Sequence, residues 1–508
     1  MALVMCVVML VGTTFAWFTD TASTGVNKIQ AGNLDIELQM KDSAGNWVKA
    51  EGKTLNFLQK QGEKQVPSED ILWEPGCTYE LPELRIVNKG NLALKYKISI
   101  SGAKDATPEN DKNDLKLLDV IDWTYNVSGD GGATVAKLGT ERHLAAKTGE
   151  ADVFDTLTIK GQMQTSAGNH YQGMAIEGIA ITVVATQDTV ENDSFGNEYD
   201  KDAEYPILVT TGDELQAIVS NATAPVNIVL TNSITTNNFV IPEGKDVTLD
   251  LNGLTVTNAE SHTILNKGHL TLTDSSADKS GQIISLKSNT AALRNGDNAV
   301  CVVEGGTFYR DGANGNTWHV VENFGKMTFN GGKVVLKHGN GFAITNGWNY
   351  PISGFDPTTH AHAVMEINAL DLDTDSSGIK NCKCGDLTVN DVTVKSTGYW
   401  ALSNDYLGTA VINGGTLTST SNVTQAVSNG AEMTVNGGTF NGTTGGLFLQ
   451  SYATSTVLNG GTFTNMTVDA LSKYVGTGHT AQQNGHRHNA VQQNDQGAVT
   501  VHIFKNAL

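Results

Sequence analysis

Apolar and polar residues alternate along this chain in short runs, and in its second half the runs recur on a nearly fixed period. "NLDIELQM", "LKYKISIS" and "GIAITVVATQ" alternate with period two, which predicts half-buried strands separated by Gly, Asn and Asp clusters. In the second half the same small-residue turn returns: "TAVINGGTL" (409–417), "EMTVNGGTF" (432–440) and "TVLNGGTF" (456–463). Anchored on the residue before the Gly pair or its equivalent, the copies fall at Asn252, Thr273, Glu304, Asn330, Asn368, Asn390, Asn413, Asn436 and Asn459, the last five separated by 22, 23, 23 and 23 residues. A period of that length marks a solenoid.

The flanking positions give the register. Three before the anchor stand Leu249, Leu270, Cys301, Met327, Met365, Leu387, Ala410, Met433 and Thr456, and one before it the column runs from Leu251 to Leu458. Two positions apart on a strand means one shared face, so both columns are expected to point inward. The column four after the anchor (Val256, Ala277, Phe308, Val334, Leu372, Val394, Leu417, Phe440, Phe463) is also mostly apolar. In-register stacking of equivalent strands predicts a parallel β-helix, and nine coils at about 4.8 Å each make a rod roughly 40 Å long. The Gly pair allows corner conformations closed to other residues, and the Asn column is expected to stack amide on amide along the axis. "DELQAIVS" (213–220), apolar on one helical face, is expected to cap the first coil, and the strand-like tail to close the last.

The fold class is therefore all-β: a β-sandwich, jelly-roll-like, over residues 17–195, a linker over 196–206 and a parallel β-helix with terminal caps over 207–508, after a signal peptide over 1–16, the cleavage position and the right hand of the helix being what the two resemblances given below imply. Composition agrees, with 54 Gly and only 9 Pro among 508 residues. A net charge of −20 disfavours nucleic acid and anionic membranes as partners. Five Cys, one of them in the leader, are too few for a disulfide scaffold. The apolar run from Ala2 to Val11 is too short to span a bilayer and fits the hydrophobic part of a secretory signal, although no positive charge precedes it. Cys6 follows Met5, a poor match to a lipidation site.

Two resemblances add to this reading. "TTFAWFTDTASTGVNKIQAGNLDIEL" (13–38), "WEPGCTYELPELRIVNKGNLALKYKISISG" (73–102) and "VVATQDTVENDSFG" (183–196) resemble the start, middle and end of the TasA and camelysin family of secreted matrix proteins. The resemblance implies release by a dedicated ER-type signal peptidase next to Ala16 or Trp17. It also implies donor-strand assembly of subunits by the segment that holds Phe18, Thr19, Asp20 and Val26. The peptidase activity ascribed to some relatives is not carried over, because the chain has no H-E-x-x-H arrangement. The repeat region resembles pectate-lyase-like right-handed β-helices, a fold that hosts lyases, hydrolases, adhesins and spacers.

Candidate chemistry on the rod is sparse. "LDLDTD" places Asp371, Asp373 and Asp375 on one side of a strand, where Ca²⁺ is the ion they would take if they formed a lyase site; no cofactor is otherwise expected. Direct stacking of coils would set Asp371 beside Lys333 and Asp373 beside Lys395, and solvated ion pairs are the favoured reading. Two insertions, after Phe308 and from His338 to His362, are expected on one side of the rod. There Trp318, Trp348 and Tyr350 would stack on sugar rings beside Arg310 and Asp311, or else would pack the insertions onto the rod. Cys382 and Cys384, and His479, His486 and His488, lack the partners of a metal site. The expected function is a secreted structural or adhesive protein of the cell surface or a biofilm-type matrix, whose partners are its own copies, other matrix subunits or a polysaccharide. The alternative is a tethered polysaccharide lyase or glycoside hydrolase.

Overall fold

The computed structural model describes residues 35–506 apart from 43, 51–52, 54, 62–63, 68–73, 102–103, 107–119, 129–134, 137–140, 148, 169–170, 172–174, 178–179, 189–204, 277, 314–317, 350–355 and 484–499. Half of the chain is strand and 6% is helix, so the protein is all-β. It divides into two compact units, the main part of the second running from Pro206 to the end.

The first unit is built from antiparallel sheets. In the larger, of nine strands, Leu84–Asn88 lies between Ile36–Lys41 and Val153–Met163. A three-stranded sheet runs through Leu94–Ser101, with Arg142–Leu144 antiparallel to it. The alternation read in "LKYKISIS" sends Leu94, Tyr96 and Ile98 inward to meet Leu84, Ile86, Leu157 and Ile159 of the larger sheet. Each such side chain, once buried, contributes about 1.5–3 kcal/mol. The sheets curve over this core as a half-barrel, which meets the expected sandwich in part.

The second unit is a parallel β-solenoid of about 11 turns. Each full coil gives one strand to each of three sheets of 11, 12 and 9 strands. Sheet one runs from Ile207–Val209 to Ser455–Leu458, sheet two begins at Ile234–Thr235, and sheet three runs from Val240–Ile241 to Leu447–Leu449. The inward columns form one continuous core, in which Phe308 and Phe329 meet edge to face and Phe440 stacks on Phe463 at 4.6 Å.

The register corrects the alignment in its first coils. Leu249 pairs with Leu272, and Val247 with Leu270, so the first anchor is Asp250 and not Asn252. In the next coil the turn between sheets one and two is longer, and Ile283, not Ala277, is the inward partner of Val256 and Phe308.

The Gly pair has two separate jobs. The second Gly takes positive φ, as at Gly415 (95°) and Gly438 (103°), where a side chain would be strained. In the last three coils the first lies where a Cβ would come within 2.5 Å of the preceding anchor's carbonyl oxygen, as at Gly414 over Asn390, Gly437 over Asn413 and Gly460 over Asn436.

Both ends of the solenoid are covered. Helix α1 (Gly212–Asn221) starts at Thr211, whose hydroxyl accepts from the Glu214 N–H, and it buries Leu215 and Val219 on the first coil. Its Gln216 side chain accepts from the Val240 N–H at 2.7 Å and donates to the Val240 carbonyl at 3.0 Å, pairing the free edge of sheet three. At the other end α2 (Val468–Ser472) buries Leu471. There Thr500–Lys505 adds antiparallel to Gly461–Thr464, followed by His479–Gln483.

Candidate functional site

The acidic run lies on the outer face of sheet two. Asp371 pairs in register with Lys333 and Asp373 with Lys395. Lys337 also donates to the Asp373 carboxylate at 2.9 Å, both side chains being over a third exposed. Such a pair adds at most about 1 kcal/mol. Asp375 falls beyond the strand Asp371–Thr374 and accepts from the backbone N–H groups of His338 and Gly339 in the preceding coil. Two of the three acids, not all three, thus share the strand, and the third holds a turn. Beside them Asp311 accepts from His338 at 2.8 Å, which raises the imidazole pKa, while the bond from the Ala313 N–H, and after it the one from His338, hold the Asp311 carboxyl below its usual range.

The two insertions do not emerge on one side. Phe342–Asn346, inside the second, is a regular strand of sheet three, so the extra chain there is 347–362. The described residues of the first insertion connect sheet two to sheet three, and those of the second connect sheet three to sheet one.

Arg310 is not at the surface. Alternation along Thr307–Asp311 turns Phe308 and Arg310 inward and Tyr309 and Asp311 outward. Arg310 is fully buried in the column Ser285–Arg310–Leu336 and donates to Ser285 Oγ at 3.1 Å and the Lys287 carbonyl at 3.3 Å. Loss of hydration brings its guanidinium pKa down to about 10. A sugar-facing role for Arg310 is therefore withdrawn. Tyr350 and the donor-strand residues Phe18, Thr19, Asp20 and Val26 lie outside the described residues, as do His486 and His488.

Sheet three's outer face carries a row of polar side chains in direct register: Arg294, Glu322, Thr345, Lys380, Ser403 and Ser428. Glu322, Thr345, Ser403 and Ser428 are buried although they point away from the core. Arg294 donates to Glu322 at 3.2 Å. Burial nevertheless pushes the Glu322 carboxyl pKa up, against Arg294 and a hydrogen bond from Trp318. Lys380 donates to Asn349 at 2.8 Å, pairs with Asp405 at 3.2 Å and lies over the Phe342 ring at 5.5 Å.

Aromatic side chains follow both edges of this row. On the entering edge are Trp318, Phe342, Tyr399 and Trp400, with the Phe342 and Trp400 planes within 4° of parallel. On the leaving edge Phe324 packs on Trp348 at 4.7 Å, Trp348 on His360 at 4.5 Å and Tyr406 on Tyr452 at 6.5 Å. Trp318 is 36% exposed, Tyr399 47% and Tyr452 46%. Behind the entering edge His262 Nδ1 accepts from the Ala291 N–H at 2.8 Å, and His319 Nδ1 bonds to the Phe342 carbonyl at 2.9 Å. Burial lowers both imidazole pKa values to about 4.

Two asparagine ladders run along the rod. The one at the NGG corner passes from Glu304 through Asn330, Asn368, Asn390, Asn413 and Asn436 to Asn459, each amide bonding the side chain one coil back at 2.7–3.0 Å. The sequence reading missed the other. It runs through Asn266, Asn295, Asn323, Asn346, Asn381, Asn404 and Asn429 at the end of sheet three, all buried, with links of 2.7–2.9 Å. Its signal was an Asn two residues after an apolar one, as in "ILN", "LRN", "VEN" and "VSN".

Among the described residues no group of His, Cys, Asp and Glu is arranged to hold a metal, and Cys77, Cys301, Cys382 and Cys384 are free thiols. Cys301 and Cys382 are buried, with pKa values pushed up to about 12 by desolvation. No described helix is long and apolar enough to cross a membrane. No protein-family model, curated protein or solved structure matches the chain.

Proposed function

We propose that this is a secreted structural and adhesive protein of the cell surface or extracellular matrix, with the solenoid as its arm. The observation that carries the reading is the continuity of the solenoid: every coil is tied to the next by main-chain ladders, and most of them also by one or both rows of Asn amides, which run from Asn266 to Asn429 and from Glu304 to Asn459. Helices lie at both its ends, and Gln216 pairs the first strand of sheet three, so little of the solenoid's own parallel edge is offered to another copy. Assembly then falls to the amino-terminal segment, where the likeness of residues 13–38 to TasA and camelysin supports donor-strand exchange. The same likeness supports processing by an ER-type signal peptidase. The likeness of the repeats to right-handed pectate-lyase-like helices supports a β-helix and names no chemistry. The lyase or hydrolase alternative draws less support, since Asp371, Asp373 and Asp375 each face a Lys or a backbone N–H.

Negative-stain electron microscopy of protein beginning at Trp17, beside protein beginning after Gly32, tests this. Filaments from the longer protein alone are the expected result. Single rods from both would overturn the assembly.

A further inference from the structure

We propose that a cationic cluster on the outer face of the first unit's larger sheet binds the carboxylates of an acidic polysaccharide; the inference rests on the reading of the chain as a matrix protein and gives that protein a polymer to hold. Alternation along Leu84–Asn88 turns Leu84 and Ile86 into the core and leaves Arg85 on the other face. The Arg85 guanidinium lies 4.7 Å from the Trp47 ring centroid and 4.9 Å from that of Phe154, and its Nε donates to Gln39 at 2.6 Å. At the end of the same strand Asn88 is fully buried and ties two loops together. Its amide donates to the carbonyls of Leu92 at 2.8 Å and Ala145 at 2.9 Å, and the Lys147 N–H donates to the Gly90 carbonyl at 3.2 Å. The loops so joined bring two lysines to one point. Lys89 donates to both oxygens of Asp152 at 3.1 Å, Lys147 to one of them at 3.1 Å and Arg85 to the other at 3.3 Å.

Arg85, Lys89 and Lys147 against the single carboxylate of Asp152 leave a surplus of two positive charges. The acids around them do not remove it. Glu37 pairs with Lys49 and Glu83 with Lys41, and Glu150, two residues before Asp152, pairs with none of the three among the described residues. Like charges held this close repel one another, and a second carboxylate beside Asp152 offsets that repulsion with charge-assisted hydrogen bonds. The cluster is open to solvent, since the side chains of Lys89, Lys147 and Asp152 are 28, 25 and 24% exposed. The class of polymer follows from the neighbouring ring. Phe154 is 42% exposed, and a uronate unit brings an apolar ring face and a carboxylate together. A neutral glycan leaves the surplus charge unmatched, and a run of Asp or Glu side chains carries no ring face for Phe154.

Affinity electrophoresis of the full chain through gels holding polygalacturonate, beside hydroxyethylcellulose and immobilised polyglutamate, tests the site. The expected result is retardation by polygalacturonate that fades as salt is added. It should weaken about tenfold when Lys89→Gln and Lys147→Gln are combined and stay unchanged in Lys395→Gln on the solenoid. Asp152→Asn removes the resident carboxylate and should strengthen retardation, a gain that a merely structural network cannot give. Lys147→Gln alone, which leaves Asp152 two of its partners, keeps the test valid if the combined variant misfolds. Free migration through polygalacturonate overturns the proposal. So does retardation that the lysine variants leave intact, or equal retardation by polyglutamate or hydroxyethylcellulose. Filaments without retardation would remove this site and leave the matrix reading; retardation without filaments would keep the site and overturn the assembly.

Discussion

The two asparagine ladders use one residue and one hydrogen bond in different surroundings. At the NGG corner the amides lie near water, and Asn413 donates to Asn390 at 2.7 Å with exposed neighbours. At the end of sheet three each amide is buried and satisfies main chain as well. Asn381 Nδ2 donates to Asn404 Oδ1 at 2.8 Å, the Gly385 carbonyl at 2.8 Å and the Thr409 carbonyl at 3.0 Å, and its Oδ1 accepts from Asn346 at 2.9 Å. Where water can replace a lost partner a hydrogen bond contributes little net; where it cannot, the abandoned group carries its full desolvation cost. Geometry alone therefore does not rank the ladders, and burial does.

Asn381→Ala is the sharpest test of that ranking. It strips a partner from the Gly385 and Thr409 carbonyls and from Asn404 Oδ1 at a dry corner, each worth about 1–3 kcal/mol, while Asn346 Nδ2 keeps the Ala363 and Asp386 carbonyls. We expect a loss of about 4 kcal/mol or more, seen as a large fall in the guanidinium midpoint of the solenoid by far-UV circular dichroism. Asn381→Asp should be nearly as damaging, because a carboxylate accepts but cannot donate to the Gly385 and Thr409 carbonyls. A midpoint unchanged by Asn381→Ala would break the comparison.

Histidines extend the contrast from neutral groups to charge. His262 and His319 titrate near 4 in the folded chain because burial disfavours the cation. The unfolded chain takes up the same protons near 6.5, so it binds more of them as pH falls. Their contribution is complete above about pH 6.5, is lost as pH drops from there to about 4 and levels off below, on the order of 2 kcal/mol each. His338, exposed and held by Asp311, has a raised pKa and the opposite slope: its contribution is present below about pH 6.5 and is lost as pH rises through its folded value. Denaturation midpoints of His319→Gln and His338→Ala between pH 4 and 8 should separate the two. The first should flatten the acid slope, and the second should leave it.

The sequence made the exposed ladder visible and hid the buried one for the same reason. Both rows pass through the same insertions: the NGG corner is spaced 26 and 38 residues before it settles to 22–23 in the last coils, and the buried Asn residues are spaced 29, 28, 23, 35, 23 and 25. What separates them is the marker, since the exposed Asn is followed in the last coils by a Gly pair that can be aligned, whereas the buried Asn ends short strands with no such neighbour. The early coils slipped by two residues at Asp250 for a related reason: Asn252 and Gly253 imitate the Asn-Gly step of the true corner. Arg310 could have been placed by alternation, since it lies two residues from the inward Phe308. Its charge hid an inward position that the column assigned to any apolar residue. The aromatic-edged face stayed unread because Phe324, Phe342, Trp400, Tyr406 and Tyr452 come together only once three sheets are stacked.

Asn413→Ala, the smallest expected effect, tests whether the visible ladder does what its regularity suggests. The change removes the bond to Asn390 and the one accepted from Asn436 at 2.8 Å, both at exposed positions where water takes over. The turn itself is held by Gly414, which lies over the Asn390 carbonyl, and by Gly415 at positive φ, and neither depends on the Asn side chain. We expect less than about 1 kcal/mol and a midpoint within error of the parent. A loss as large as that of Asn381→Ala would mean that stacked amides polarise one another along the row even in contact with water. Cooperativity, not burial, would then set the strength of both ladders, and the rod would owe its rigidity to the corner that the sequence displays most plainly.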